Sequence, residues 1–194
     1  MTTPELLTVE EFVERREELP DGGRWSELRA GKLIALAPPT IEHGTAVLNL
    51  TKALSEFSHH ESRREQCGYA CFELGLIVAR SPDTLLFPAI SYFAEGDRFA
   101  EADKAVTGTR PAVVVEVAST NDRRRELDQR VAGWLEWGAK LVWVVDPQAK
   151  QVHAVETGHA GQRFGESQTL PGSGPLAGFE LSVGELFKEP RWAR

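Results

Sequence analysis

Ala112-Val113-Val114-Val115-Glu116-Val117-Ala118 is β-branched and apolar on both faces, the pattern of a central strand covered on both sides of its sheet. A helical pattern from about Asp122 to Trp137 follows, stopped at Gly138, and leads into a second buried run, Leu141-Val142-Trp143-Val144-Val145. Strand, helix and strand in that order make a crossover unit with two parallel neighbours. The fold class is therefore α/β, with a central sheet flanked by helices.

Working outward, Ala70 to Ala79 and Leu85 to Phe93 are β-type runs joined by Ser81-Pro82-Asp83-Thr84, which predicts one hairpin. Between it and the central strand, residues 94–108 are charged and poorly patterned, the best place for a mobile segment. Upstream, Ile41 to His59 carries Ala46, Leu50, Ala53, Leu54 and Phe57 on one stripe at helical spacing. Trp25 to Ala35 reads as two short strands around Ala30-Gly31, and Thr8-Val9-Glu10-Glu11 has the Thr-x-x-Glu form of a capping box. Beyond residue 147 come added strands, a turn at Pro171 to Pro175 and a short terminal helix. One domain over 1–194 is expected, divided into an N-terminal helix and hairpin (1–40), a core (41–147) and closing strands with a short helix (148–194).

Composition narrows the function classes. The 194 residues are 41% apolar and 26% charged, enough for one substantial core. Apolar runs are strand-sized, far below the roughly 20 residues that cross a bilayer. The first ten residues lack the basic start and apolar run of a signal peptide, and two cysteines make no disulfide framework, so a cytoplasmic location is expected. A net charge of −7 argues against a protein that coats nucleic acid, but not against a local basic patch that meets phosphates.

Glu116 is the most informative residue. A carboxylate inside a buried strand carries a desolvation cost unless a partner offsets it. A divalent metal is one such partner; a neighbouring arginine is the other. Arg123-Arg124-Arg125, at the start of the following helix, reads either as a grip on a phosphate backbone or as a solvated charge run. His59-His60, Cys67 and Cys71 lack the second well-spaced pair that zinc needs.

Val113 to Ser119, Asp122, Gly138 and Leu141 to Pro147 together resemble the central signature of the Uma-two family of restriction-endonuclease-like proteins, a branch of the PD-(D/E)XK nuclease superfamily. Trp25-Ser26-Glu27-Leu28 with Gly31-Lys32-Leu33-Ile34 resembles its early hairpin, Pro38-Pro39 with Glu42-His43-Gly44 the start of its first core helix, and Leu176-Ala177-Gly178-Phe179 with Glu185-Leu186-Phe187 its closing segment. The resemblance implies a restriction-endonuclease-like core and a DNA endonuclease using Mg²⁺ or Mn²⁺, with DNA as partner and a homodimer as the assembly. An Asp and a Glu on adjacent strands would hold the metal, with a Lys to position water, which suits the oxygen preference of Mg²⁺.

On that pattern Glu116 matches the strand Glu. The segment Leu86-Phe87-Pro88-Ala89-Ile90 resembles the family's Pro-Asp strand, with Ala89 where the Asp would stand. On the helix, Leu127, Val131, Trp134 and Leu135 form the buried stripe and Arg130 lies at its edge, so Arg130 takes the Lys position. Arginine keeps the charge but cannot move a proton as lysine can. The expectation is a weak or inactive nuclease, the alternative being a pseudonuclease that binds DNA or protein. Glu42 and Glu27 are accessory carboxylates on this pattern, or else surface or capping groups. His43 contacts phosphate or metal, or else is a polar residue at a helix start. Centring the turn at Pro82-Asp83 sets Leu76 opposite Ala89 and leaves Glu73 about 10 Å along, a poor substitute for the missing Asp.

Overall fold

The computed structural model describes residues 6–59, 68–97, 99–120 and 124–189. Helix α1 (Val9–Glu14) starts where the Thr-x-x-Glu motif places it: the Glu11 amide donates to Thr8 Oγ1 at 3.2 Å, and the Thr8 amide donates back to the Glu11 carboxylate at 2.8 Å. Two amides that no helical carbonyl could reach are thereby satisfied. The helix buries Val9 and Phe12 against Leu28 and Leu85, and its Val9 amide donates to Asp83 Oδ2 at 2.8 Å.

Strands β1 (Ser26–Arg29) and β2 (Lys32–Ala35) form the expected hairpin. Its turn holds Ala30 at φ 49° and Gly31 at φ 76°. Two successive left-handed residues match the right-handed twist of a two-residue hairpin. At Gly31 a Cβ would also lie 2.9 Å from Leu6 Cβ, so the position suits glycine twice over. Helix α2 (Ile41–His59) has the predicted span and buries Ala46, Leu50 and Leu54, with Ala53 and Phe57 packed alongside.

The single hairpin expected over 70–93 is corrected: it is four strands in two sheets. They are β3 (Tyr69–Phe72), β4 (Gly75–Ala79), β5 (Thr84–Leu86) and β6 (Ile90–Phe93). Pro88 has no amide to donate to a ladder, and Glu73 takes a left-handed φ of 54°, so both legs break before they cross to the next sheet. Sheet one runs β2-β1-β5-β4-β7, with β7 at Val106–Thr107. Residues 94–108, expected to be mobile, carry that strand and are anchored through Glu101. Its buried side chain accepts from Thr109 Oγ1 at 2.7 Å and ion-pairs with Lys104 at 3.0 Å.

Sheet two runs β11-β10-β9-β8-β6-β3. Its centre is β8 (Val113–Val117), buried throughout and parallel to β9 (Leu141–Asp146), with Glu116 beside Val144. Helix α3 (Leu127–Trp137) makes the crossover and ends at Gly138, φ 126°. Strands β10 (Gln151–Glu156) and β11 (Gln162–Gly165) extend the sheet, β12 (Thr169–Pro171) pairs with β13 (Glu180–Ser182), and α4 (Val183–Leu186) closes the chain. The alternation of β8 sends Val113, Val115 and Val117 toward α2, Trp143 and Phe179, and Val114 toward Trp134 and Val142. Glu116 shares the Val114 face, so the strand's one carboxylate is aimed at α3. Among the described residues no helix is long and apolar enough to cross a membrane.

Candidate functional site

Glu116 meets α3 at two side chains one helical turn apart. Glu116 Oε1 accepts from Arg130 Nε at 2.9 Å and from Trp134 Nε1 at 2.6 Å. Arg130 Nη2 lies 2.8 Å from the same oxygen, an ion-pair distance without the alignment of a further hydrogen bond. Residues i and i+4 share a helix face, which is why one carboxylate can take both donors. Of the two partners expected for Glu116, an arginine is the one in contact.

Arg130 also reaches the other sheet. Its Nη1 donates to Glu27 Oε2 at 2.9 Å, and Glu27 further accepts from Arg29 Nη2 at 2.9 Å and, on Oε1, from the Phe87 amide at 3.3 Å. Arg29 in turn pairs with Glu126 at the start of α3. The side chains of Glu27, Glu116 and Arg130 are 0%, 4% and 10% exposed, so these charges interact with little solvent screening. Burial pushes the Arg130 pKa down, but attraction to Glu116 and Glu27 more than reverses this and holds it above the ordinary arginine value. Burial likewise pushes Glu27 up, and Arg130 and Arg29 outweigh it, leaving the carboxyl below the usual range.

A depressed carboxylate stabilises the fold fully above its unfolded pKa, about 4.3 for Glu, and that contribution is lost as pH falls through the lower folded value. The thermal midpoint of the chain is therefore expected to fall below about pH 4, and Glu27→Gln to flatten this acid limb. Circular-dichroism melts across the acid range read it; equal slopes for the two proteins would show that Glu27 plays no part in the acid limb.

Ala89 lies beside this cluster, and here the register expectation is corrected. Leu76 pairs with Leu86, not with Ala89. The β3–β6 ladder ends at the Phe72–Ile90 pair, and Glu73 and Ala89 flank that pair just outside the two strands. Glu73, Ala89, Glu27 and His43 line one cleft, together with Arg16 and Arg24. Glu73, set aside on sequence spacing, thus shares a cleft with the position of the missing Asp. The Pro88 break was the available signal for this, since an uninterrupted hairpin could not run through it. Trp134, read only as core, and Arg29 were the other participants missed.

The remaining candidates divide. His43 Nδ1 lies 3.1 Å from Ser119 Oγ, between the cleft and a neighbouring depression. That depression, lined by Thr40, Glu42, Ser119 and Arg124, holds Glu42 apart from the Glu27–Arg130–Glu116 cluster. Glu42 is exposed, and bonds to its own amide and to the Thr40 side chain lower its pKa, the behaviour of a helix-start carboxylate. Arg124 is held in a two-pronged pair with Asp146, at 2.6 and 2.7 Å, which ties the start of α3 to the end of β9. Arg123, His60 and Cys67 lie outside the described residues; Cys71 is buried with a free thiol.

Do these residues fit a divalent ion? The donor set argues against it. The Ala89 side chain offers no oxygen, one Glu116 oxygen is taken by Arg130 and Trp134, and Glu27 is shared between two guanidinium groups. Among the described residues no group of three or more His, Cys, Asp or Glu is placed to hold a metal. The Arg130 guanidinium lies between the two buried carboxylates, Glu27 and Glu116, and supplies a positive charge there.

The sequence profile of the Uma2 family, described as "Putative restriction endonuclease", matches residues 9–184. A crystal structure from Anabaena variabilis, described as a "putative nuclease belonging to DUF820", superposes with a TM-score of 0.73 at 19% identity, covering 93% of this chain and 97% of that one. At that identity the likeness establishes the restriction-endonuclease-like fold. No curated protein sequence matches the chain.

Proposed function

The chain belongs to the Uma2 family, and from that membership we propose that it engages duplex DNA through a restriction-endonuclease-like cleft in which Arg130 replaces the metal ion and strand hydrolysis is lost. The observation that carries this reading is the Arg130 guanidinium held between Glu27 and Glu116. A bound Mg²⁺ would activate water and neutralise charge on the scissile phosphate. Arg130 offsets charge on both carboxylates but generates no nucleophile, because its guanidinium stays protonated and its Nε and Nη1 donors are taken up by Glu116 and Glu27. Trp134 fixes Glu116 toward α3, which keeps that carboxylate from turning to a metal or a water.

The test is calorimetric titration with Mn²⁺ beside a supercoiled-plasmid nicking assay in Mg²⁺ or Mn²⁺. The chain is expected to give neither specific heat nor nicking, and Ala89→Asp with Arg130→Lys to gain metal binding. Robust nicking that disappears in Glu116→Ala would overturn the proposal. One observation favours an active endonuclease instead: Glu73 lines the same cleft as Ala89 and could supply the missing carboxylate. On that reading the unaltered chain nicks plasmid and Glu73→Gln abolishes the activity.

A further inference from the structure

Four arginines of this chain, Arg29, Arg80, Arg124 and Arg130, each have a carboxylate oxygen within 2.9 Å. Arg16 and Arg24, which both line the cleft, have no ion-pair partner among the described residues. Arg16 is partly buried, its guanidinium carbon 4.9 Å above the centre of the Phe87 ring. A half-buried arginine with no carboxylate at ion-pair distance is uncommon, because desolvation of the charge is then only partly offset. A second arginine on the same rim adds like-charge repulsion. Burial lowers the Arg16 pKa; Glu73 opposes that effect and Arg24 reinforces it.

The backbone is shaped to hold this pair together. Asp21, Gly22 and Gly23 have φ of 56°, 62° and 65°, three left-handed residues in succession just before Arg24. Asp21 is not glycine and carries the steric cost of that conformation. At Gly23 a Cβ would fall 2.5 Å from Arg16 Cγ and 2.9 Å from the Arg16 carbonyl oxygen, so the stem of Arg16 lies directly across this glycine. Strained turn, glycine cradle and aromatic shelf together fix Arg16 and carry the chain to Arg24 at the mouth of the cleft.

We propose that Arg16 and Arg24 form a phosphate-binding pair that receives the DNA backbone beside Ala89 and Glu73. The inference rests on the DNA-binding reading above and names the surface that meets the duplex. A guanidinium fork matches two phosphate oxygens, and an aromatic shelf pre-organises it at little entropic cost. Exposed Glu14, Glu17 and Glu18 on the same segment oppose a broad attractive field, so the grip is local and bidentate rather than a long-range basic surface. A grip of this kind positions the duplex without reading its sequence.

Fluorescence anisotropy with labelled duplex oligonucleotides, using the full chain without divalent metal, tests the pair. Replacing both arginines by alanine is expected to weaken binding at least about tenfold and equally across duplex sequences. The slope of log affinity against log salt should become shallower by about 0.9 for each phosphate that the variant no longer neutralises. Arg24→Lys should retain most of the slope and Arg24→Glu should bind more weakly than Arg24→Ala. Because Arg24 is exposed, the Arg24→Glu comparison stands even if loss of Arg16 disturbs the fold. Variants that fold by circular dichroism and bind with unchanged affinity and slope overturn the arginine pair while leaving DNA binding in place. An unaltered chain that binds no duplex at low salt overturns the DNA-binding reading and the pair with it.

Discussion

Arg130→Met is expected to destabilise the protein by about 3–5 kcal/mol, the usual cost of leaving a buried charge without its partner. Two carboxylates lose a partner, and one of them, Glu116, loses its cation among the described residues. Glu27 keeps Arg29, whereas Glu116 keeps only the Trp134 donor. Against a total stability of about 5–15 kcal/mol, the loss brings the chain close to unfolding. Urea denaturation with a two-state fit measures it. Repeating the denaturation in Mn²⁺ sharpens the result: a cation should raise the midpoint of Arg130→Met, whose carboxylates have lost their internal cation, and leave the unaltered chain where it was. Changing all three residues to apolar ones (Glu27→Leu, Glu116→Leu, Arg130→Met) should be less damaging than the single change, because no buried charge then remains unpaired. A single variant within about 1 kcal/mol of the parent would show that the cluster is hydrated and energetically minor.

Trp143→Ala is expected to cost about 3–5 kcal/mol by opening a cavity in the α2-side core. The indole is fully buried on β9 with its ring centre 5.5 Å from that of Phe179. A comparison of phenylalanine variants separates packing from hydrogen bonding. Trp143 Nε1 is buried without a hydrogen-bond partner among the described residues, so Trp143→Phe gives up ring volume but no bond and removes an unsatisfied donor. Trp134→Phe gives up the 2.6 Å bond to Glu116, worth about 1.5–3 kcal/mol when the acceptor is charged. Trp134→Phe should therefore be the more destabilising of the two in chemical denaturation; the reverse order would mean that ring volume dominates at both sites.

Much of this architecture is readable from local pattern. The doubly apolar run at 112–118, the capping box at Thr8, the Ala30-Gly31 turn and the bounds of α2 each depend on residues a few positions apart, and each has its expected place. What was not readable depends on where strands change sheets. The break at Pro88 and the left-handed Glu73 shift the register, so that Leu76 pairs with Leu86 and it is Glu73 that shares a cleft with Ala89. Pattern supplied Glu116 and the family resemblance supplied Arg130, but their pairing with each other rather than with a metal needed the reach of Arg130 to Glu27 in the other sheet. Arg29 and Glu27, two apart on β1, share a face by strand alternation and were in principle legible. The Arg16–Arg24 pair was not, because the three left-handed residues that seat it include an aspartate.

The bond between Arg130 and Glu27 joins residues 103 positions apart and ties α3 to the first hairpin. A bond across so long a stretch forms late, after local helices and turns and after much of the loop-closure entropy has been given up. Interactions absent from the folding barrier act on the rate of escape from the native state more than on the rate of reaching it. Loss of the charge cluster is thereby expected to speed unfolding more than it slows folding, which stopped-flow denaturation of Arg130→Met reads directly.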